Sequence, residues 1–165
     1  MKYTIAGVRH SLPATLINNR FSQALQPFAS ACPGTPDLRL NVGMEITPLS
    51  DNRELHSFDF PDADADCRCG TDGAGYLLEM TPRDGSSPAR YRMAYGAATA
   101  QSDITPEHTP ALFRFGAWTL FNIAALPKEA VAFHSSVIRY RGKGVLFLGE
   151  SGAGKSARTR LWRET

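Results

Sequence analysis

The stretch FLGESGAGKS, Phe147 to Ser156, constrains this chain more than any other part of it. Gly149, Gly154, Lys155 and Ser156 satisfy the pattern G-x-x-x-x-G-K-[ST], which works only between a buried strand and the first turn of a helix. Glycines at 149, 152 and 154 permit backbone angles that other residues avoid, and they leave room for phosphate oxygens. Successive backbone N–H groups can then turn inward as an anion nest. A helix starting near Lys155 aims the positive end of its dipole at the same point. The expected cradle is Gly149, Glu150, Ser151, Gly152, Ala153, Gly154, Lys155, Ser156 and Ala157. Within it Lys155 would reach the β- and γ-phosphates of a nucleotide, and the Ser156 hydroxyl would be a ligand of Mg²⁺.

The flanks supply the required setting. VLFLG is a short continuous apolar run, as a buried strand is, and KSARTRLWRE can start a helix. Before them, VAFHSSVIRY is an extended segment and RGKG a turn, so a β-hairpin leads straight into the glycine-rich loop. Most proteins with this loop feed it from a parallel strand that follows a helix. If Tyr140 pairs with Val145 across a four-residue turn, paired numbers sum to about 285 and His134 lies opposite roughly Ser151. Two roles stay open for His134: contact with a phosphate or an acceptor hydroxyl, or an ordinary hydrogen-bonded place at a strand end.

The first hundred or so residues read as β-rich and irregular. MKYTIAGV suggests a first strand, and LRLNVGM alternates Leu38, Leu40, Val42 and Met44 on one side. GYLLEMTP and ARYRMAYG read as an antiparallel hairpin joined by RDGSSP. Ile17, Phe21, Ala24, Leu25 and Phe28 have weak helical spacing, and ACPGTPD is a loop. The strongest helix follows a change of character near Thr105. Thr109 is its expected N-cap, Pro110 its first residue, and Leu112, Phe115, Thr119, Leu120 and Ile123 its periodic positions before Pro127 closes it. Phe113, Phe115, Trp118 and Phe121 are expected in the core. The expected fold class is α+β: a β-rich region over 1–105, then the start of a P-loop domain (hairpin, loop, helix) over 106–165.

Charge and cysteine content exclude several functions. A net charge of +2 is too small to argue for nucleic acid or a membrane surface. No apolar run approaches the ~20 residues of a membrane span, and the N-terminus has no secretory pattern. Three cysteines, two of them at 67 and 69, do not form a disulfide framework, so a cytoplasmic location with reduced thiols is expected. Zinc is disfavoured by the absence of C-x₂-C spacing. DADADCRCG, Asp62 to Gly70, fails as a calcium loop because Cys67 and Gly73 stand where Gly and Glu are needed; it reads as a solvated acidic loop. Arg158, Arg160 and Arg163 give the last segment a basic face, from which Arg158 is best placed to approach phosphate.

HSSVIRYRGKGVLFLGESGAGKS resembles the C-terminal kinase domain of the HPr serine kinase family, which belongs with the phosphoenolpyruvate carboxykinases. The family has a histidine on a strand, a short turn, an apolar strand and a G-[DE]-S-G-x-G-K-S loop. GKSARTRLWRE is similar to the helix that follows this loop in a group of bacterial HPr-kinase-like proteins. The resemblance is specific from about Phe133 to Arg163, weaker back through Pro110 to Leu126, and does not extend to 1–105. It implies a kinase-like phosphotransferase using ATP and Mg²⁺ on a hydroxyl acceptor, either a seryl residue of a protein or a small alcohol. His134 would be the active-site histidine, and Gly149 to Ser156 the phosphate site. HPr kinases assemble into hexamers, so a homo-oligomer is among the implied partners. Ala157 departs from related loops, which often carry Thr or Glu there. The family's acidic metal ligands and general base lie on strands beyond this helix, so the resemblance implies the front part of a longer, kinase-like protein with weak or no activity in these 165 residues. A non-catalytic nucleotide- or partner-binding module is the competing class. A carboxykinase is disfavoured, since its metal-binding lysine and histidine and its substrate arginines have no counterparts.

Overall fold

Alternating apolar residues dominate the first two thirds of the chain, and they build a sheet. The computed structural model describes residues 1–17, 19–31, 34–133, 135–149 and 152–164. These fall into two units, Met1–Ala130 and Val131–Thr165. The architecture is mixed α and β, with a β-rich first unit.

In the first unit, β1 (Lys2–Ile5) and β2 (Val8–Ser11) form an antiparallel hairpin. The expected single strand through Val8 is thus divided, because Ala6 and Gly7 both take positive φ and reverse the chain. The connection from β2 holds α1 (Asn19–Leu25), where Phe21 and Leu25 pack on the core as their spacing suggested. β3 (Leu38–Asn41) buries Leu38 and Leu40. It ends before Met44, which is exposed. A meander follows: β4 (Glu54–Phe60), β5 (Ala65–Thr71), β6 (Gly75–Pro82), β7 (Ala89–Ala94) and β8 (Thr99–Ser102). The β6–β7 hairpin is the one expected from GYLLEMTP and ARYRMAYG. The eight strands lie in the order β1-β2-β3-β8-β7-β6-β5-β4, with β2–β3 and β3–β8 parallel and the other neighbours antiparallel.

Two thirds of the expected acidic loop is strand, since Ala65 to Gly70 lie in β5, whose inward Cys67 pairs with Met80 and is buried. Only the outward residues are solvated, and there Arg83 gathers Asp59, Asp64 and Asp66.

One face of the sheet is covered by α2 (Pro110–Ala125). Its buried residues Leu112, Phe113, Ala117 and Leu120 join Leu38, Leu78, Met80, Tyr91 and Met93 in the core. Thr109 occupies the N-cap position without a side-chain capping bond, and Pro110 follows at the first helical position. Trp118 is 50% exposed rather than buried, and its ring rests against Phe115 at 5.7 Å. The compact units divide at Ala130/Val131, and α2 supplies core to the sheet that precedes it.

The opposite face of the sheet is polar and closed by cross-strand ion pairs. Buried Glu79 accepts from Arg90 Nε at 2.6 Å and lies 3.6 Å from Arg68. Arg90 also reaches Asp103 at 3.0 Å, and Arg68 binds Glu54 at 2.6 Å.

The second unit holds β9 (Ser136–Tyr140), β10 (Lys143–Phe147) and α3 (Lys155–Glu164). β9 and β10 pair antiparallel, with Tyr140 opposite Lys143 and Ser136 opposite Phe147. No helix is long and apolar enough to cross a membrane among the described residues.

Candidate phosphate-binding site

The hairpin register differs from the expected one. Paired numbers sum to 283, as in Ile138 with Val145, instead of about 285. The physical reason is the turn. Arg141 and Gly142 take φ of 49° and 79°, which closes the strands with two residues and returns Lys143 and Gly144 to the ladder. The placement of His134 opposite Ser151 rested on the longer turn, and His134, Glu150 and Ser151 lie outside the described residues.

The strand–loop–helix order demanded by the motif is present, but β10 is not the buried strand expected: it lies in a sheet of two strands, and Leu146 and Leu148 are 49% and 62% exposed. β10 ends at Phe147, the loop follows, and α3 begins at Lys155. Gly149, Gly152 and Gly154 have φ of 153°, 82° and 74°, which side-chain-bearing residues avoid. A Cβ on Gly149 would come within 3.2 Å of the Ala153 Cβ, so the far side of the loop folds back over its entrance. Lys155 donates from Nζ to the Gly149 carbonyl at 2.8 Å and so spans the loop. The Arg158 N–H donates to the Gly154 carbonyl at 3.0 Å, starting the helical ladder at the end of the loop. The earlier N–H groups of that first turn have no intrahelical acceptor.

Exposure separates the members. Gly149, Gly152, Ala153, Gly154, Ser156 and Ala157 are open to solvent, and Lys155 is half-buried. Arg158 is also exposed, one turn behind Gly154. Thr159 turns inward and donates its hydroxyl to the Ser156 carbonyl at 2.9 Å, which ties the first two turns of α3 together. The helix is held on the hairpin by Trp162, whose ring packs edge-on against Tyr140 at 5.8 Å and Phe147 at 6.0 Å. No motif marks that anchor in the sequence, although Trp162 sits two helical turns from Lys155 and so shares its side.

The other face of this hairpin carries Val137 opposite Leu146, which are 62% and 49% exposed. Among the described residues, no three His, Cys, Asp or Glu side chains gather as metal ligands. Cys67 and Cys69 are free thiols, and Cys32 lies outside the described residues. No family model, curated protein or solved structure matches the chain.

Proposed function

We propose that the loop from Gly149 to Ser156 binds the phosphates of ATP, as its resemblance to the HPr serine kinases implies. One observation carries this reading: three positive-φ glycines bend the backbone between a strand end and a ten-residue helix whose first side chain, Lys155, already lies across the loop. Backbone N–H groups and the helix dipole would neutralise the phosphates, and Lys155 would exchange the Gly149 carbonyl for phosphate oxygens.

Mg²⁺ fits this loop only together with the nucleotide. Ser156 offers one hydroxyl in the first turn of α3, and Mg²⁺ takes its other oxygens from phosphates and water. Ser156 would help hold the ion, which would supply positive charge to offset that of the phosphates during transfer. The reaction class is phosphoryl transfer to a hydroxyl acceptor, with His134 as the candidate residue beside that acceptor. A non-catalytic nucleotide- or partner-binding module is the second reading. The exposed Val137 and Leu146 side chains favour it, because they form an apolar patch of the kind partners cover.

Calorimetric titration of ATP–Mg²⁺ into the wild-type chain and Lys155→Ala tests the site. Saturable binding that the substitution weakens at least ~10-fold is expected, and equal affinities would remove the loop as a nucleotide site.

A further inference from the structure

The face of the eight-stranded sheet that carries the cross-strand ion pairs also holds a concavity of about 440 Å³. That size suits a small organic molecule. Its apolar wall is Ile46, Leu49 and Leu77, a buried cluster separate from the main core. The segment carrying Ile46 and Leu49 passes across the sheet between β3 and β4, and Leu77 rises from β6 to meet it.

The polar rim is unusual in what it leaves open. Arg92 uses Nε to bind Asp72, and its two terminal nitrogens make no hydrogen bond among the described residues. The Arg53 guanidinium lies over Gly73, where an added Cβ would stand only 3.0 Å from it, and makes no ion pair among the described residues. Glu45, also at this cavity, is exposed and likewise has no ion pair. Open donors of two guanidiniums, one open carboxylate and an apolar wall thus meet in one place.

These three features select a ligand class. A simple carboxylate would satisfy the arginines and leave Glu45 facing added negative charge. A simple amine would satisfy Glu45 and leave Arg53, and the free donors of the Asp72-paired Arg92, without an acceptor. We propose that this cavity binds a free α-amino acid with an apolar side chain. Its carboxylate lies between Arg53 and Arg92, its ammonium group toward Glu45, and its side chain against Ile46, Leu49 and Leu77. Charge-assisted hydrogen bonds to guanidinium give such a ligand its orientation, and the apolar wall adds burial. The proposal concerns the first unit alone and does not rest on the phosphate loop.

Calorimetry and thermal-shift titration of the whole chain test it with three probes of matched carbon skeleton: leucine, isocaproate without the ammonium group, and isoamylamine without the carboxylate. Saturable binding of leucine is expected, with each truncated probe at least ~10-fold weaker. Arg53→Gln and Glu45→Gln should each weaken leucine ~10-fold at unchanged melting temperature, since both side chains are exposed and unpaired. Lys155→Ala should leave leucine binding intact, which separates this site from the nucleotide site. No saturable leucine binding up to about 10 mM, isocaproate binding as tightly as leucine, or unchanged affinity in both variants would overturn the proposal.

Discussion

Replacing Gly116 with alanine sets two well-measured effects against each other. Gly116 is buried in the middle of α2, where alanine is the better helix former by about 1 kcal/mol. Propensity alone therefore predicts stabilisation. The structure predicts the reverse. A Cβ at Gly116 would stand 2.2, 2.4 and 2.6 Å from three atoms of the Tyr91 ring. Carbon atoms in contact normally sit about 3.5–4.0 Å apart, so the overlap exceeds ~1 Å. The ring cannot swing away easily. Tyr91 is 1% exposed, and its hydroxyl donates to the Leu112 carbonyl at 3.2 Å, one turn earlier on the same helix. Relief requires α2 to lift, which loosens Leu112, Phe113, Ala117 and Leu120 together. Overpacking of this kind costs about 1–3 kcal/mol or more, and the overlap places this case at the upper end. After the propensity gain, Gly116→Ala should lose about 2 kcal/mol, or roughly 6–10 °C in melting temperature for a unit of this size. Urea and thermal denaturation followed by circular dichroism measure both. In a Tyr91→Leu background the same substitution should become neutral or stabilising. A Gly116→Ala protein that melts at or above the wild-type temperature would refute the argument that α2 sits on Tyr91 this closely.

Further outcomes follow from charge and burial. His10 is 5% exposed, stacks on Phe121 at 4.9 Å and leaves Nε2 without a partner among the described residues. Burial lowers its pKa, against a smaller opposing effect of Asp37. Its proton therefore prefers the unfolded chain, so stability should be full above about pH 6.5 and fall as pH drops below it. The urea midpoint should fall less over that range in His10→Leu; an identical pH profile in the two proteins would count against it. Asp37, held well below the usual carboxylate range chiefly by its hydrogen bonds from Arg9, should add a loss only at more acidic pH. Glu79→Gln should cost about 2 kcal/mol in urea titration, below the value for a fully buried pair because Arg68 and Arg90 keep partial solvent contact. The Cys67 thiol, buried and pushed up to about 12, should resist iodoacetamide in the folded chain and react after unfolding, as peptide mapping by mass spectrometry will show.

Local signals carried much of this fold, and longer-range ones carried little. Pro110, Pro127 and the helical spacing between them located α2 because caps and period act within a few residues. Alternation located β3 and the β6–β7 hairpin for the same reason. β5 looks like a loop in sequence because its outward side is Asp66 and Arg68, polar residues that are satisfied by Arg83 in the turn after β6 and by Glu54 on β4. The hairpin register slipped by two because RGKG permits several turns, and the left-handed geometry of Arg141 chose the shortest. The strand–loop–helix order was legible because Gly149, Gly152 and Gly154 act through the backbone at fixed offsets ahead of Lys155. The amino-acid cavity was not, since Glu45, Arg53, Leu77 and Arg92 come from different parts of the chain and meet only when the sheet forms.

That sheet is stitched along a single seam. Antiparallel neighbours from β4 to β8 lie close in sequence and can zip up one after another. β3 meets β8 through only three aligned pairs, Arg39 with Thr99, Leu40 with Ala100 and Asn41 with Gln101, between residues about sixty positions apart. Closing so long a stretch of chain for so few bonds is entropically slow. The joint between β3 and β8 should therefore set the tempo of folding, and until it shuts the meander keeps an open flank on which other chains can add a strand.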